Sequence, residues 1–333
     1  MDGLTTSRRP DPNGRWDGTA LAGFVAFPLI VLAGVVWWAA SLRGRLPDPV
    51  AVHFGAGGGA DDFGSLTALL AVLVVVTFPI VLVMGLLGSA RRNPRILRRT
   101  LGPMATTFAG FMAGMVPDLV VPQLDRATAE GVVIGEAWTI GGTVAGLVVG
   151  VAVAAVLRAP AAVASQGPPD PALPRGPHSE EVRTGAATGM KVLLVVWVLA
   201  SGASALISPG LALLLFLCVP LLAQTMVVRL RVDDDAVRLR ALIGETIPLE
   251  TITAARPNRY DWGDSGGVGI RSVDYSGPSG GRGKRTAVAS RSGEAIDIDT
   301  TATNWTIVVP DGTADAIAGD INARLDRLHG YCG

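Results

Sequence analysis

Residues 19–42 read TALAGFVAFPLIVLAGVVWWAASL, a stretch without a single charge. The hydrocarbon core of a bilayer is about 30 Å thick, and a helix needs roughly 20 apolar residues to cross it. This stretch is long enough, and the pattern recurs along the chain. Residues 65–89, 101–117 (extending toward Val121) and 137–157 are uncharged as well. So are residues 192–228, but as one helix they would measure about 55 Å at 1.5 Å per residue. Ser208-Pro209-Gly210 near their middle is a turn signal, so they read as a tight hairpin of two short helices. The expected fold class is therefore a membrane all-α part of about six transmembrane helices, followed by a small α+β domain.

Composition agrees with a bilayer protein. The 333 residues are 49% hydrophobic and only 17% charged, against about 25% charged in a soluble domain. Lys+Arg and Asp+Glu balance at 28 each, so no net field draws the chain to nucleic acid. Two cysteines, Cys218 and Cys332, make no disulfide framework, and the scattered His53, His178 and His329 make no metal cluster. No P-loop, nucleophile elbow, zinc-protease helix or dinucleotide fingerprint occurs. The expectation is a protein that is not an enzyme and has no cofactor, no catalytic residue and no metal.

Orientation follows from the basic residues of the short loops. One set of segments holds Arg8, Arg9 and Arg15, then Arg91, Arg92, Arg95, Arg98 and Arg99, then Arg158, Arg175, Arg183 and Lys191; the alternate set holds Arg43, Arg45 and Arg126. That bias predicts a multi-pass protein of the plasma membrane with both termini cytoplasmic. Trp37, Trp38 and Trp138 then fall at the outer ends of their helices, where interfacial aromatics belong. Gly110 and Gly114, with Gly142, Gly146 and Gly150, form small-residue faces that let backbones approach closely in lipid. Such faces serve contacts with other membrane proteins or packing within one chain, and packing within the chain is the preferred reading.

The organisation that follows is a disordered tail at 1–17, a two-helix unit with its outer loop at 18–90 and a second helix pair at 91–158. A Pro-rich linker, read as flexible, occupies 159–188, a transmembrane hairpin 189–228 and a cytoplasmic domain 229–330. In that domain Arg229-Leu230-Arg231-Val232 and Val237-Arg238-Leu239-Arg240 alternate about Asp233-Asp234-Asp235, a β-hairpin signal. Further short antiparallel strands are expected at 267–273, 286–290, 295–298 and 305–309, with a loop at 276–284. Ile317, Ile321, Leu325 and Leu328 recur on one face of a closing helix.

This order resembles the bacterial pleckstrin-homology-like domains. It does so on the hairpin RVDDDAVRLRALIGETIPLETIT and the ending WTIVVPDGTADAIAGDINARL. The resemblance implies a partly open barrel plugged by its final helix. The basic residues Arg229, Arg231, Arg238 and Arg240 either meet anionic headgroups or form a solvated outer face.

Between the first two helices runs Leu46-Pro47-Asp48-Pro49-Val50-Ala51-Val52-His53-Phe54, then Gly58, then Asp61-Asp62-Phe63-Gly64-Ser65. These residues resemble the outer loop of a bacterial membrane domain-of-unknown-function family, found alone and at the start of SdpI-like immunity proteins. The candidate site comprises Leu46, Pro47, Pro49, His53, Phe54, Gly58 and Asp61, with a structural or ligand-sensing role. Pro47 and Pro49 hold an extended segment, and Asp61 or Asp62 is placed to cap the second helix. His53 either closes the loop by a hydrogen bond to its backbone, senses protons or a ligand, or shares a cation with Asp61. A lone His is a poor metal site, so loop closure is preferred. Asp118 is the intramembrane polar candidate, read either as functional or as reaching interfacial water.

The functional expectation is a membrane protein with a sensory, regulatory or envelope-maintenance role. A small transporter and an immunity protein against a membrane-active peptide toxin are the alternatives.

Overall fold

In the computed structural model the first uncharged stretch forms one rod, Gly18–Ser41. It consists of α1 (Gly18–Leu21), a π-helical turn (Ala22–Ala26) and α2 (Phe27–Ser41). The structure describes residues 16–331 except 56, 92, 158–162, 178–180, 185–187, 207, 224–227, 242, 262, 264–268 and 277–281. Most of the expected tail at 1–17 thus lies outside the described residues. The helices that follow are α3 (Leu66–Ser89), α4 (Arg95–Val120), α5 (Ala137–Val156), α6 (Thr188–Ser204) and α7 (Pro209–Ala223). A 3₁₀ turn, Val121–Gln123, extends α4.

Among the described residues four helices are long and apolar enough to cross a membrane: Gly18–Ser41, Leu66–Ser89, Arg95–Gln123 and Ala137–Val156. Ile30, Trp37, Val72 and Val75 stand exposed on them, and a helix apolar on its outer side as well suits a bilayer. α6 and α7 are shorter apolar helices, packed against each other as a hairpin. α4 is the central and most buried of the long helices. It begins at Arg95 rather than near residue 101, so Arg95, Arg98 and Arg99 belong to its first turns and not to a loop.

Close approach of α4 to α5 uses the glycine faces. A methyl group on Gly110 would strike Gly142 O, and one on Gly114 would strike Trp138 O. One on Gly146 would strike Thr106 O. The faces that could have met another protein are therefore filled within the chain.

At the opposite end from the loop that joins the first two long helices, Arg98 is 1% exposed and donates to Gly88 O at 3.2 Å and to Asp17 Oδ2 at 2.7 Å. Asp17 also accepts from Thr19 N and Ala20 N, capping α1. Burial pushes the Asp17 carboxyl up, but the Arg98 guanidinium and these amides outweigh it and hold it below its ordinary range.

The C-terminal part is β-rich. β3 (Val182–Arg183), β4 (Arg229–Val232), β5 (Ala236–Arg240) and β6 (Glu245–Pro248) make one antiparallel sheet. β7 (Ile252–Tyr260), β8 (Gly269–Ser276), β9 (Arg282–Ala289), β10 (Gly293–Thr300) and β11 (Asn304–Val308) make a second, in the order β7-β10-β11-β9-β8. α8 (Ala314–Leu328) closes it, burying Ile317, Ile321 and Leu325 in a core with Leu230, Leu239, Ile252, Ile296 and Ile307. The expected apolar stripe thus does its work, apart from Leu328, which is 52% exposed.

Two expectations about the strands give way here. The strands are not all antiparallel: β9 runs parallel to β11. Period-two patterning marks a strand but not its neighbour, and a buried ionic contact reaches across this junction. Arg285 on β9, 2% exposed, donates to Trp305 O on β11 and to Asp299 on β10. The loop at 276–284 is shorter than expected, since Ser276 pairs with Arg282 in a hairpin; residues 277–281 lie outside the described residues.

The Pro-rich linker is no free tether where it is described. Arg175 donates to Asp326 on α8 at 2.7 Å and to the carbonyls of Pro169, Asp170 and Leu173. Ser165 N donates to Glu250 O at 2.6 Å, and β3 pairs with β4. Residues 163–177 form a strap on the β-rich part.

Candidate functional site

The loop between the first two long helices folds as a hairpin. β1 (Val50–Phe54) pairs with β2 (Ala60–Gly64) in the register Val50↔Gly64, Ala51↔Phe63, His53↔Asp62 and Phe54↔Ala60, with irregularities on either side of His53. Gly55 N donates to Gly59 O and Gly58 N to Gly55 O, closing the turn, and Gly58 takes a φ of 74° that favours glycine.

The motif's apolar members form the hairpin's seat. Val50 is 3% exposed and packs with Ala39, Leu66, Leu70, Val116 and Val120, with Leu46 and Val52 against this cluster. Pro47 is buried beside them, whereas Pro49 is exposed. The hairpin is thus plugged into the mouth of the helices at that end.

Its polar anchor comes from Gln123, 2% exposed at the end of α4. Gln123 Oε1 accepts from Ala51 N at 2.7 Å, while Nε2 donates to Ala51 O at 3.1 Å and Leu119 O at 2.7 Å. One side-chain amide satisfies both backbone groups of a buried residue, as a neighbouring strand would. The loop before α5 locks the other edge: Ala60 N donates to Val132 O, and Ile134 N to Gly58 O, each at 2.9 Å. Arg45 Nε donates to Asp125 Oδ1 at 3.0 Å, and Asp125 N donates to Arg45 O at 2.7 Å. The Arg45 guanidinium holds the Asp125 carboxyl below its usual range.

On this platform His53 faces solvent. Its Nδ1 lies 2.5 Å from Asp61 Oδ1, with the two side chains 68% and 50% exposed. The structure therefore brings His53 together with Asp61, and with a carboxylate rather than the backbone partner expected. Phe63 and Val133 stand exposed nearby in sequence and ladder. Neither Asp61 nor Asp62 caps the second helix. Both lie on β2, and Ser65 takes the cap by accepting from Ala68 N at 3.0 Å. Among the described residues no group of three or more His, Cys, Asp or Glu is arranged to hold a metal ion.

Asp118 stands apart from this site. It is 4% exposed and accepts from Trp138 N at 3.3 Å, Thr139 N at 2.7 Å and Thr139 Oγ1 at 2.7 Å. It caps α5 from a neighbouring helix. Glu136 acts similarly, accepting from Gly210 N at the start of α7. Glu245 is the third such carboxylate: its Oε2 accepts from Ile96 N, in the first turn of α4, at 2.9 Å. Gln123, Glu136 and Glu245 were not singled out from sequence. Each has a backbone partner 72 or more positions away in the chain, which no local pattern announces.

The basic hairpin carries its own counter-ions. Arg231 pairs with Asp233 at 2.6 Å, Arg238 with Asp233 and Asp235 at 2.8 and 2.7 Å, and Arg229 with Glu181 at 3.6 Å.

Residues 29–78 match the family described as Domain of unknown function (DUF1648). The matched DUF1648 segment runs from α2 through the β1–β2 hairpin into α3, and so contains His53 and Asp61. Gln123, Asp125 and the Val132–Ile134 strip, which lock the hairpin, lie outside it. No curated protein and no solved structure matches the chain.

Proposed function

We propose that the chain is a non-enzymatic membrane protein with a sensory, regulatory or envelope-maintenance role. Its DUF1648 hairpin is the input, and the β-rich domain, pleckstrin-homology-like in kind, is the output. The supporting observation is the placement of α4. At one end Gln123 holds the hairpin through Ala51. At the other, Ile96 is 1% exposed within the core of the β-rich domain and its N–H is held by Glu245. A change in the hairpin therefore has one buried helix through which to bias the domain.

Six crossings with both termini cytoplasmic belong to the same reading. Glu136, at the outer end of α5, accepts from Gly210 at the tip of the α6–α7 hairpin, which supports a hairpin reaching the full depth. A transport role would call on Asp118, whose oxygens are engaged in capping α5.

Hydrogen exchange on the full chain in nanodiscs tests the coupling. Gln123→Leu should raise exchange at Glu245–Pro248 as well as in the hairpin. Faster exchange confined to the hairpin would overturn the proposal.

A further inference from the structure

A groove of about 670 Å³ lies between the helices on the side of the β-rich domain. That volume is within the ~300–1,000 Å³ of ordinary ligand pockets. Its walls are apolar, with Met84 from α3, Met104 and Phe108 from α4, Val151 from α5 and Leu214 from α7. Ile243 and Gly244, on the β5–β6 connection, close one end.

One charged residue lines this groove: Arg99, on the second turn of α4. Its Nη2 has a long contact to Ala155 O at 3.4 Å, and its Nε is buried with no partner among the described residues. Arg95, one turn earlier on the same helix face, also has a buried Nε with no partner among the described residues. Buried polar groups are normally satisfied, so two neighbouring Nε–H donors without a protein acceptor among the described residues suit an anionic group. Arg98 is not available, being bound to Asp17. The carboxylate facing this pair is Glu245, which spends one oxygen on Ile96 N. Burial, the largest influence on it, pushes the Glu245 carboxyl above its ordinary range, against the Ile96 N–H and the two arginines.

We propose that this groove holds an anionic phospholipid of the leaflet adjoining the β-rich domain, its headgroup phosphate on Arg99 and Arg95 and one acyl chain between α4 and α7. The proposal rests on the membrane-protein reading but not on the signalling role. Apolar walls disfavour a soluble anion, and the arginines disfavour a headgroup of net zero charge. An arginine's planar fork matches a phosphate oxygen pair, and basic pockets between helices at this depth recognise acidic headgroups.

Native mass spectrometry of the detergent-solubilised full chain, titrated with phosphatidylglycerol or phosphatidylcholine, is the test. The wild type should retain phosphatidylglycerol in preference, and Arg99→Gln should reduce that preference about five-fold. Arg99→Lys should keep much of it. Leu214→Trp, which fills the groove without touching charge, should displace the lipid, and it serves where Arg99→Gln does not fold. Equal retention of the two lipids, or a preference that survives both Arg99→Gln and Leu214→Trp, overturns the proposal. So does inorganic phosphate competing the lipid off at millimolar concentration, which would mark a plain anion site.

Discussion

Gln123 accepts from Ala51 N and donates to Ala51 O, and Asn322 on α8 does the same for Ala255 on β7, at 2.9 and 2.8 Å. Both side chains are buried, and both Ala residues would otherwise carry two unpaired backbone groups. Leaving a buried donor or acceptor unmade costs about 1–3 kcal/mol. Gln123→Leu and Asn322→Leu should therefore each lower the melting temperature of the solubilised full chain. His53→Ala and Asp61→Asn should cost under about 1 kcal/mol, because that pair is exposed. A melt that tracks His53 and ignores Gln123 would reverse this ranking. The motif residues were legible in sequence, since proline, glycine, His and Asp crowd into twenty positions between two apolar runs. Gln123 was not: a single Gln after Pro122 carries no period, and its partner is set by how the loop folds back.

At the scale of elements, the joints between segments were the least legible part. Helices declared themselves by apolar length, and strands by alternation. The strap at 163–177 reads as a Pro-rich tether because what fixes it is one guanidinium gathering three backbone carbonyls and Asp326. Arg175→Ala should free it, and limited proteolysis should then cut within 163–177 several times faster than in the wild type. Unchanged cleavage would mean the proline turns alone hold the strap.

Glu245 is a second joint, and its ionisation has a sign. Burial, opposed by the Ile96 N–H and the nearby Arg95 and Arg99, raises its pKa above the ordinary 4.5. A carboxyl raised in the fold binds its proton more tightly there than when exposed, so stability falls as pH climbs from 4.5 through the folded value. Melts across pH 4.5–8 should show that fall. Glu245→Gln keeps an oxygen for Ile96 N and should flatten it; an equal slope in the variant would assign the pH dependence to another group.

For the whole molecule the open geometric question is how the α6–α7 hairpin sits in the bilayer. Its two ends share a side, because β3 before α6 pairs with β4 after α7. At 17 and 15 residues, α6 and α7 measure about 25 and 22 Å, short of the roughly 30 Å hydrocarbon core. Length alone would let the hairpin dip in and return. The tip argues otherwise, because Gly210 N meets Glu136 at the start of α5, and α5 is a 20-residue helix whose far end faces the β-rich domain. On the six-crossing proposal, a tip level with the start of α5 crosses what α5 crosses. Cysteines placed singly at Thr128, Ser208 and Gly167 turn this into a measurement with a membrane-impermeant thiol reagent on intact cells. Under six crossings with cytoplasmic termini, Thr128→Cys and Ser208→Cys should label and Gly167→Cys should label only after lysis. Labelling at Thr128 with none at Ser208 would make the hairpin re-entrant. Labelling at Gly167 alone would invert the whole arrangement, placing the strap and its β-rich domain outside the cell.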